Sequence, residues 1–264
     1  MALRERTEEL GESPVHWWQA GDEPILWLHG VPNAGEMWRD FLGRCGGVAV
    51  DGPGFGLSGK RADLDYSIEG YGRFVERFLD HLGWERCRLV GHDWGGGWAL
   101  TFAQRHPERV ERLALVNSVP FLPGYRWHRY ARIWRAPLAG EMFMGFSTRW
   151  GFKRVAREAV LEPSDEFIDR VWDHFDHGTQ RAILKLYRSA PEDALTAAGS
   201  GLGDVGAPAL VLWGDRDPFI PARFGDGFAA ALGDATVEHH PDAGHWPWLD
   251  RPDLVDRLCA WIAA

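Results

Sequence analysis

The run Gly91-His92-Asp93-Trp94-Gly95-Gly96 constrains this chain more than any other stretch. Before it, Arg86-Cys87-Arg88-Leu89-Val90 reads as a short buried strand, and after it Trp98 to Arg105 has helical composition. A strand can pass into a helix over so short a link only through a sharp, strained turn. The helix then runs close against the strand, and its neighbours must be small. Glycines on both sides of Asp93 meet that need. The pattern is that of a G-x-S-x-G nucleophile elbow with aspartate where serine would stand. An aspartate in a loop often does no more than cap the following helix; the strand–turn–helix context favours a functional residue here. A carboxylate is ionised at neutral pH and needs no base to act as a nucleophile. It suits carbons that bear a leaving group.

Short apolar runs alternate with helical ones on either side of that turn. Pro24-Ile25-Leu26-Trp27-Leu28, Gly47-Val48-Ala49-Val50, Cys87 to Val90, Leu113-Ala114-Leu115-Val116, Ala209 to Trp213 and Thr236 to His239 are strand candidates. Most are continuously apolar, as strands covered on both faces of a parallel sheet should be. Ile68 to Leu82, Trp94 to His106, Ala222 to Leu232 and Pro252 to Ala263 are helix candidates, and Thr7 to Trp18 reads as an antiparallel hairpin. The alternation predicts an α/β fold with a mostly parallel, doubly wound sheet. A length of 264 residues with 45% hydrophobic and 25% charged composition fits one domain with a large core.

The rhythm breaks once. From Pro120 to about Val205 there are aromatic and Arg-rich helical pieces but no buried strand. Ser164 opens one of them as a plausible N-cap, and Gly199-Ser200-Gly201-Leu202-Gly203 reads as a return linker. The expectation is a core of residues 1–119 and 206–264 with a helical cap, 120–205, inserted after the sixth strand. Such a cap would cover the carboxyl ends of the strands, where ligands bind in open α/β sheets.

Composition excludes several classes. A net charge of −9 argues against a nucleic-acid partner. No apolar run approaches the ~20 residues that span a bilayer, and the first residues lack the apolar core of a signal peptide. Cys45, Cys87 and Cys259 have no metal spacing and read as reduced residues of a cytoplasmic protein. No cofactor is expected, no membrane or nucleic acid is an expected partner, and oligomeric state is left open.

Four motifs stand in order. His29-Gly30-Val31-Pro32 follows the third strand, and Asp51-Gly52-Pro53-Gly54-Phe55-Gly56-Leu57-Ser58 the fourth. The latter is turn chemistry rather than a phosphate cradle, since no lysine or helix start follows with P-loop spacing. Trp213-Gly214-Asp215-Arg216-Asp217-Pro218-Phe219-Ile220-Pro221 follows the seventh strand, and Ala243-Gly244-His245-Trp246-Pro247 lies ahead of the last helix. With the elbow, these motifs make the chain resemble the α/β-hydrolase family. Within it, the chain is similar to the branch with an aspartate nucleophile, the epoxide hydrolases and haloalkane dehalogenases.

That resemblance implies roles. Asp93 is the nucleophile, Asp217 rather than Asp215 the triad acid, and His245 the general base for water attacking an ester on Asp93. Asp215 is expected to cap its turn or pair with Arg216, and His29 to fix its own turn. Backbone N–H groups of Val31 and Trp94 would form the oxyanion hole. Tyr187 stands where epoxide hydrolases carry a ring-opening tyrosine, and Tyr130 is taken over Tyr125 as the second. One dehalogenase group carries Asn at the third position of H-G-x-P and Glu after the sixth strand. This chain has Val31 and Asn117-Ser118-Val119, which disfavours that group. A cap tryptophan among Trp127, Trp134, Trp150 and Trp172 keeps the other group open. Trp94, Trp127, Trp134, Phe143 and Trp150 are expected to bind a small apolar substrate. The reading is thus an epoxide hydrolase, with haloalkane dehalogenase as the alternative. A cofactor-free oxygenase of the same fold is a further alternative from another class.

Overall fold

The structure is a computed structural model that describes residues 1–11, 13–160 and 163–264. Among these residues, eight strands form one sheet in the order β1-β2-β4-β3-β5-β6-β7-β8. They are β1 (Arg4–Leu10), β2 (Ser13–Ala20), β3 (Ile25–Leu28), β4 (Gly47–Val50), β5 (Cys87–His92), β6 (Val110–Val116), β7 (Ala209–Gly214) and β8 (Ala235–His240). β1 and β2 form the expected hairpin, longer than Thr7 to Trp18, and β2 meets β4 antiparallel. From β4 to β8 every pairing is parallel.

Every residue of β3, β4 and β7 is buried, and alternate side chains go to opposite faces. Leu26, Leu28, Leu89, Leu113 and Val211 join one core with α2 (Ile68–His81), α3 (Trp94–Arg105) and α10 (Arg223–Leu232). Ile25, Trp27, Val90, Ala114 and Leu212 join the other with α1 (Arg39–Cys45), α11 (Pro247–Asp250) and α12 (Asp253–Ala263). The seven-residue α1 carries too few periodic positions to be read from the sequence. β8 is only partly buried along its length, because it closes one edge of the sheet.

The chain leaves β3 for β4 on one side and then crosses to β5 on the other. That reversal opens a crevice at the carboxyl ends of β3 and β5, where Val31 and Asp93 sit.

Among the described residues, six α-helices lie between β6 and β7: α4 (Arg129–Arg135), α5 (Ala139–Gly145), α6 (Arg149–Ala159), α7 (Asp165–Asp173), α8 (His177–Ser189) and α9 (Glu192–Ala198). No strand is found in this insertion among the described residues. Ser164 caps α7 as expected, its hydroxyl accepting from Phe167 N at 3.1 Å. The glycine-rich return begins just after α9, where Gly199 packs on Phe121 at the entry of the insertion. A Cβ on Gly199 would stand 1.8 Å from Phe121 O, so only glycine fits. Among the described residues, no helix is long and apolar enough to cross a membrane.

Candidate active site

β5 ends at His92 and α3 begins at Trp94, so Asp93 alone makes the turn. It does so at φ 51°, ψ −120°, a strained conformation for a residue with a side chain and worth about 1–3 kcal/mol. A Cβ on Gly91 would lie 2.5 Å from Gly95 O, and one on Gly95 2.1 Å from Leu28 O. The flanking glycines are therefore forced by the approach of helix to strand. Backbone bonds from Val119 N and Gly96 N to Asp93 O, both 3.1 Å, hold the strained residue in place.

The Asp93 carboxyl is buried, and its two oxygens see different neighbours. Val31 N donates to Oδ2 at 2.9 Å. Oδ1 lies 4.0 Å from His245 Nε2. Burial pushes the Asp93 pKa up to about 6, against the pull of His245 and of the Val31 and Trp94 backbone N–H groups. At neutral pH the carboxylate is still the main form. The cost of desolvating it makes it a stronger nucleophile than one in water.

His245 Nδ1 donates to Asp217 Oδ2 at 2.7 Å, which leaves Nε2 toward Asp93. Burial opposes a charge on this imidazole, but the Asp217 and Asp93 carboxylates outweigh it and raise its pKa above the ordinary value. Asp217 is itself fully engaged. Its Oδ1 accepts from Phe219 N at 2.7 Å and Ile220 N at 3.0 Å, and its Oδ2 also accepts from Asn117 Nδ2 at 2.8 Å. Asn117 sits at φ 39° just after β6, where Asn is tolerated, and its Oδ1 accepts from Gly214 N at 2.9 Å. One side chain thus locks the ends of β6 and β7 and the acid between them. His245 N donates to Ala159 O at 2.9 Å, and the ring of His92 donates from Nε2 to His245 O at 2.8 Å. His245 is therefore tied both to the end of β5 and to α6 of the insertion.

The two glycine-rich loops serve as supports. His29 Nε2 accepts from Gly52 N at 2.9 Å, so its Nδ1–H donates to Gly30 O at 2.8 Å. His29 fixes the turn, as expected, and links it to the second loop. Asp51 closes that loop by accepting from Gly35 N at 2.6 Å and Leu57 N at 2.8 Å. Asp215 departs from expectation: it meets His239 Nδ1 at 2.6 Å rather than Arg216, because Arg216 turns away to Pro241 O.

A cavity of about 670 Å³ opens over Asp93 and His245. Tyr187, Trp127, Trp134 and Phe143 line it, as the sequence predicts. Tyr187 is buried, with its ring 4.8 Å from that of Trp127 and 5.0 Å from that of Trp134. Burial first, and the Asp93 charge second, raise its pKa well above the ordinary value, so it holds its proton.

Three expected site residues are placed differently. Tyr130 borders the cavity, but its hydroxyl accepts from Arg129 Nη2 at 2.7 Å and faces Glu158 at the surface. It falls in the first turn of α4 with its tip outward. Tyr125, in the loop before that helix, is the second tyrosine at the site: it is buried, lines the cavity, and burial and Asp93 raise its pKa well above the ordinary value. Trp150 is 72% exposed and does not border the cavity. α6 turns Phe152, Val155 and Ala156 inward at helical spacing, which leaves Trp150 outside. The Trp94 indole does not line the cavity either. It is wholly buried, stacked on Trp127 at 5.6 Å and edge-on to Tyr187 at 5.4 Å, with no well-formed hydrogen bond at Nε1. Its backbone N–H still reaches the Asp93 carboxyl.

His128 also lines the cavity, although nothing in the sequence singled it out. Its Nδ1 accepts from Ala131 N at 3.4 Å at the start of α4. Burial, then the nearby His245, lower its pKa to about 3, so it is neutral with its proton on Nε2. Asn117 and Tyr125 were legible only as loop residues, because their roles depend on β7 and on the packing of the insertion.

Comparison with known proteins agrees with this architecture. A family profile described as alpha/beta hydrolase fold matches residues 23–252. "Epoxide hydrolase 3" of Xenopus tropicalis is 30% identical, over 92% of this chain and 72% of that protein. "Haloalkane dehalogenase" of Mesorhizobium japonicum is 28% identical, over 92% and 85%. Among solved structures, haloalkane dehalogenase DbeA from Bradyrhizobium elkani superposes with a TM-score of 0.85 at 25% identity, over 99% of this chain and 98% of that one.

Proposed function

The chain belongs to the α/β-hydrolase fold family, and from that premise we propose that it hydrolyses an apolar epoxide to a vicinal diol through an ester on Asp93. The observation that carries this reading is the split environment of the Asp93 carboxyl. Oδ2 rests on the Val31 N–H, while Oδ1 is left toward the cavity and the imidazole.

Oδ1 attacks a ring carbon, and the carbon–oxygen bond of the epoxide breaks. The departing oxygen takes a proton from Tyr187, with Tyr125 on the same cavity as a second donor. The product of this step is a hydroxyalkyl ester whose carbonyl oxygen, the former Oδ2, lies against the Val31 N–H, with the Trp94 N–H beside the same carboxyl. Water then attacks the carbonyl carbon while His245 Nε2 takes its proton, and Asp217 stabilises the imidazolium. Charge develops on the carbonyl oxygen, where these two N–H groups would stabilise it. Collapse expels the diol, whose oxygen takes the proton from His245, and leaves Asp93 as the free acid with the second proton of the water. That proton passes through solvent to the tyrosinate, which restores Asp93 and Tyr187 together. The helical insertion acts as the cap that excludes bulk water, and the apolar walls of Trp127, Trp134 and Phe143 select the substrate.

Haloalkane dehalogenation is the second reading, and one observation favours it. Trp134 lines the cavity, and its Nε1 is buried with no hydrogen-bond partner among the described residues, so a turn of the indole would offer that N–H to a halide. The Trp127 indole already donates to Ala190 O at 2.9 Å, and the Trp94 indole lies behind Trp127 and Tyr187. A departing halide would find one free N–H, whereas an epoxide oxygen would find two tyrosines. The test is a panel of styrene oxide-type epoxides and bromoalkanes, scored for diol and for halide. Diol from the epoxides supports the reading. Halide release without diol would replace it with the dehalogenase, and oxygen uptake with an oxidisable heteroaromatic would replace both with an oxygenase.

A further inference from the structure

Large hydrophobic side chains are exposed at seven described positions, and five of them fall between Ile133 and Trp150. Leu138 is 78% exposed, Met142 61%, Phe146 80% and Trp150 72%, with Ile133 at 37%. Ile133, Met142 and Phe146 also line the active-site cavity, so the patch is the rim of its mouth. Scattered exposed apolar residues need no explanation, but a contiguous patch on a functional opening marks a contact.

The charge of this region sets it apart from the rest of the chain. Residues 121–160 carry eight basic side chains against two acidic ones, a net +6 on a chain of net −9. Arg129, Arg135, Arg149 and Lys153 are paired with Glu158, Glu192, Asp169 and Asp165. Arg126, Arg132, Arg154 and Arg157 are exposed and have no ion-pair partner among the described residues. Arg154 borders the cavity mouth. Trp150, Arg154 and Arg157 fall at i, i+4 and i+7 of α6, on one face of that helix.

We propose that this rim docks on an anionic lipid surface, with Leu138, Met142, Phe146 and Trp150 entering the headgroup boundary and the unpaired arginines meeting the lipid phosphates. Exposed apolar side chains ringed by arginines are the composition that such an interface selects. A peripheral contact needs no membrane-spanning segment. A second copy of the chain is a poorer occupant, because a two-fold contact would set the basic rim against itself. A soluble polyanion would leave Leu138 and Met142 in water. The consequence for catalysis rests on the reading of the cavity as a site for apolar substrates: docking would let a substrate dissolved in the bilayer enter without crossing water. The docking itself does not depend on that reading.

The experiment is co-sedimentation of the full chain with vesicles of phosphatidylcholine alone and of equal parts phosphatidylcholine and phosphatidylglycerol. The protein should pellet with the anionic vesicles, and added salt should weaken the binding. Arg154→Gln with Arg157→Gln should lower the partition coefficient by roughly tenfold or more, given about fivefold per basic residue near an anionic surface. Leu138→Asn with Trp150→Ser should lower it by a similar factor, while turnover of a water-soluble substrate stays at the parent's level, since neither residue lines the cavity. Asn is chosen at 138 because that residue has φ 66°. Failure of the parent to bind anionic vesicles overturns the proposal, as does binding that neither pair of substitutions weakens. A parent dimer that Leu138→Asn with Trp150→Ser dissociates would assign the patch to a second copy instead. Vesicle binding by a protein that hydrolyses no epoxide and no haloalkane would leave the docking standing and remove the catalytic reading.

Discussion

The turn between β5 and α3 and the helical insertion above it hold the same cavity, but they fix their residues by different means. At the turn, backbone atoms stand so close that a side chain on Gly91 or Gly95 would overlap them, and Asp93 is pinned at positive φ. His245 and Asp217 have no free choice of direction either, because each polar atom they turn toward the core is already bonded. In the insertion, Trp134 packs on Tyr187 and Phe143 on Trp134, and a different aromatic at either position would still pack. Geometry at the turn dictates identity. Packing in the insertion dictates only size and apolarity. Substitutions at the turn should therefore act nearly all-or-none on chemistry, and those in the insertion should act by degrees.

The largest expected effect is on Asp93. Asp93→Ala should lower turnover by at least about 10⁴-fold with the fold intact, because no other group on the cavity can form the ester. Parent-like turnover in a well-folded variant would break the comparison at its root.

The same residue should carry a stability penalty. Its folded pKa, raised to about 6, means that the buried form prefers its proton. The stability this lends is fully present below the unfolded-state value near 4 and is lost as pH rises through about 6. Asp93→Asn removes the titration and keeps a residue that tolerates positive φ. It should raise the melting temperature above pH 6, by a free energy on the order of 1–3 kcal/mol, with the advantage fading as pH falls toward 4. An advantage that does not change between pH 8 and pH 4 (conditions bracketing the titration, about two units either side of the folded pKa) would contradict the burial of an ionised nucleophile.

Asn117 sharpens the comparison from the core side. Asn117→Gly allows the φ of 39° at no cost and deletes the amide that donates to Asp217. Loss of a hydrogen bond to a buried carboxylate is worth about 1.5–3 kcal/mol, so kcat should fall by roughly 10–100-fold. The acid limb of the pH–rate profile should move with it, since His245 answers to Asp217. A fall in rate with an unmoved profile would mean that Asn117 acts only through the fold.

In the insertion, Tyr187→Phe should slow ester formation from an epoxide by at least roughly tenfold, about 1.4 kcal/mol of barrier, with Tyr125 masking the remainder. Rates unchanged in pre-steady-state measurements would remove Tyr187 as the proton donor and move the dehalogenase reading ahead. Tyr130→Phe marks the small end of the scale. Its hydroxyl belongs to Arg129 and Glu158 at the surface, so turnover should stay within about twofold of the parent's, the size of an ordinary surface substitution of up to ±0.5 kcal/mol.

The same contrast decides what could be read from the sequence. The turn at Asp93 and the convergence of Asp217 and His245 on it were legible because each sits in a motif whose glycines and order leave one arrangement. The sheet was legible because strands covered on both faces are written as unbroken apolar runs; even the half-exposed β8 was read from Thr236 to His239, whereas the short α1 left no periodic signal. The helical insertion was legible as a gap in the strand rhythm, not as a set of positions. Whether Tyr125 or Tyr130 points inward depends on where α4 begins, and whether Trp150 or Phe152 lines the cavity depends on the rotation of α6. Neither is encoded in local spacing. His128 was missed for the same reason: its neutral state and its place on the cavity arise from packing against Phe219, Trp134 and Tyr187.

The central claim is that Asp93 forms a covalent ester and His245 acts only afterward. His245→Gln separates the two steps, since attack by the carboxylate needs no base while attack by water does. Intact-protein mass spectrometry of this variant, incubated with an epoxide that the parent turns over, should show the protein heavier by the mass of one substrate. Peptide mapping should place the adduct on Asp93. A variant that stays unmodified under those conditions, or that carries its adduct on another residue, would contradict the account.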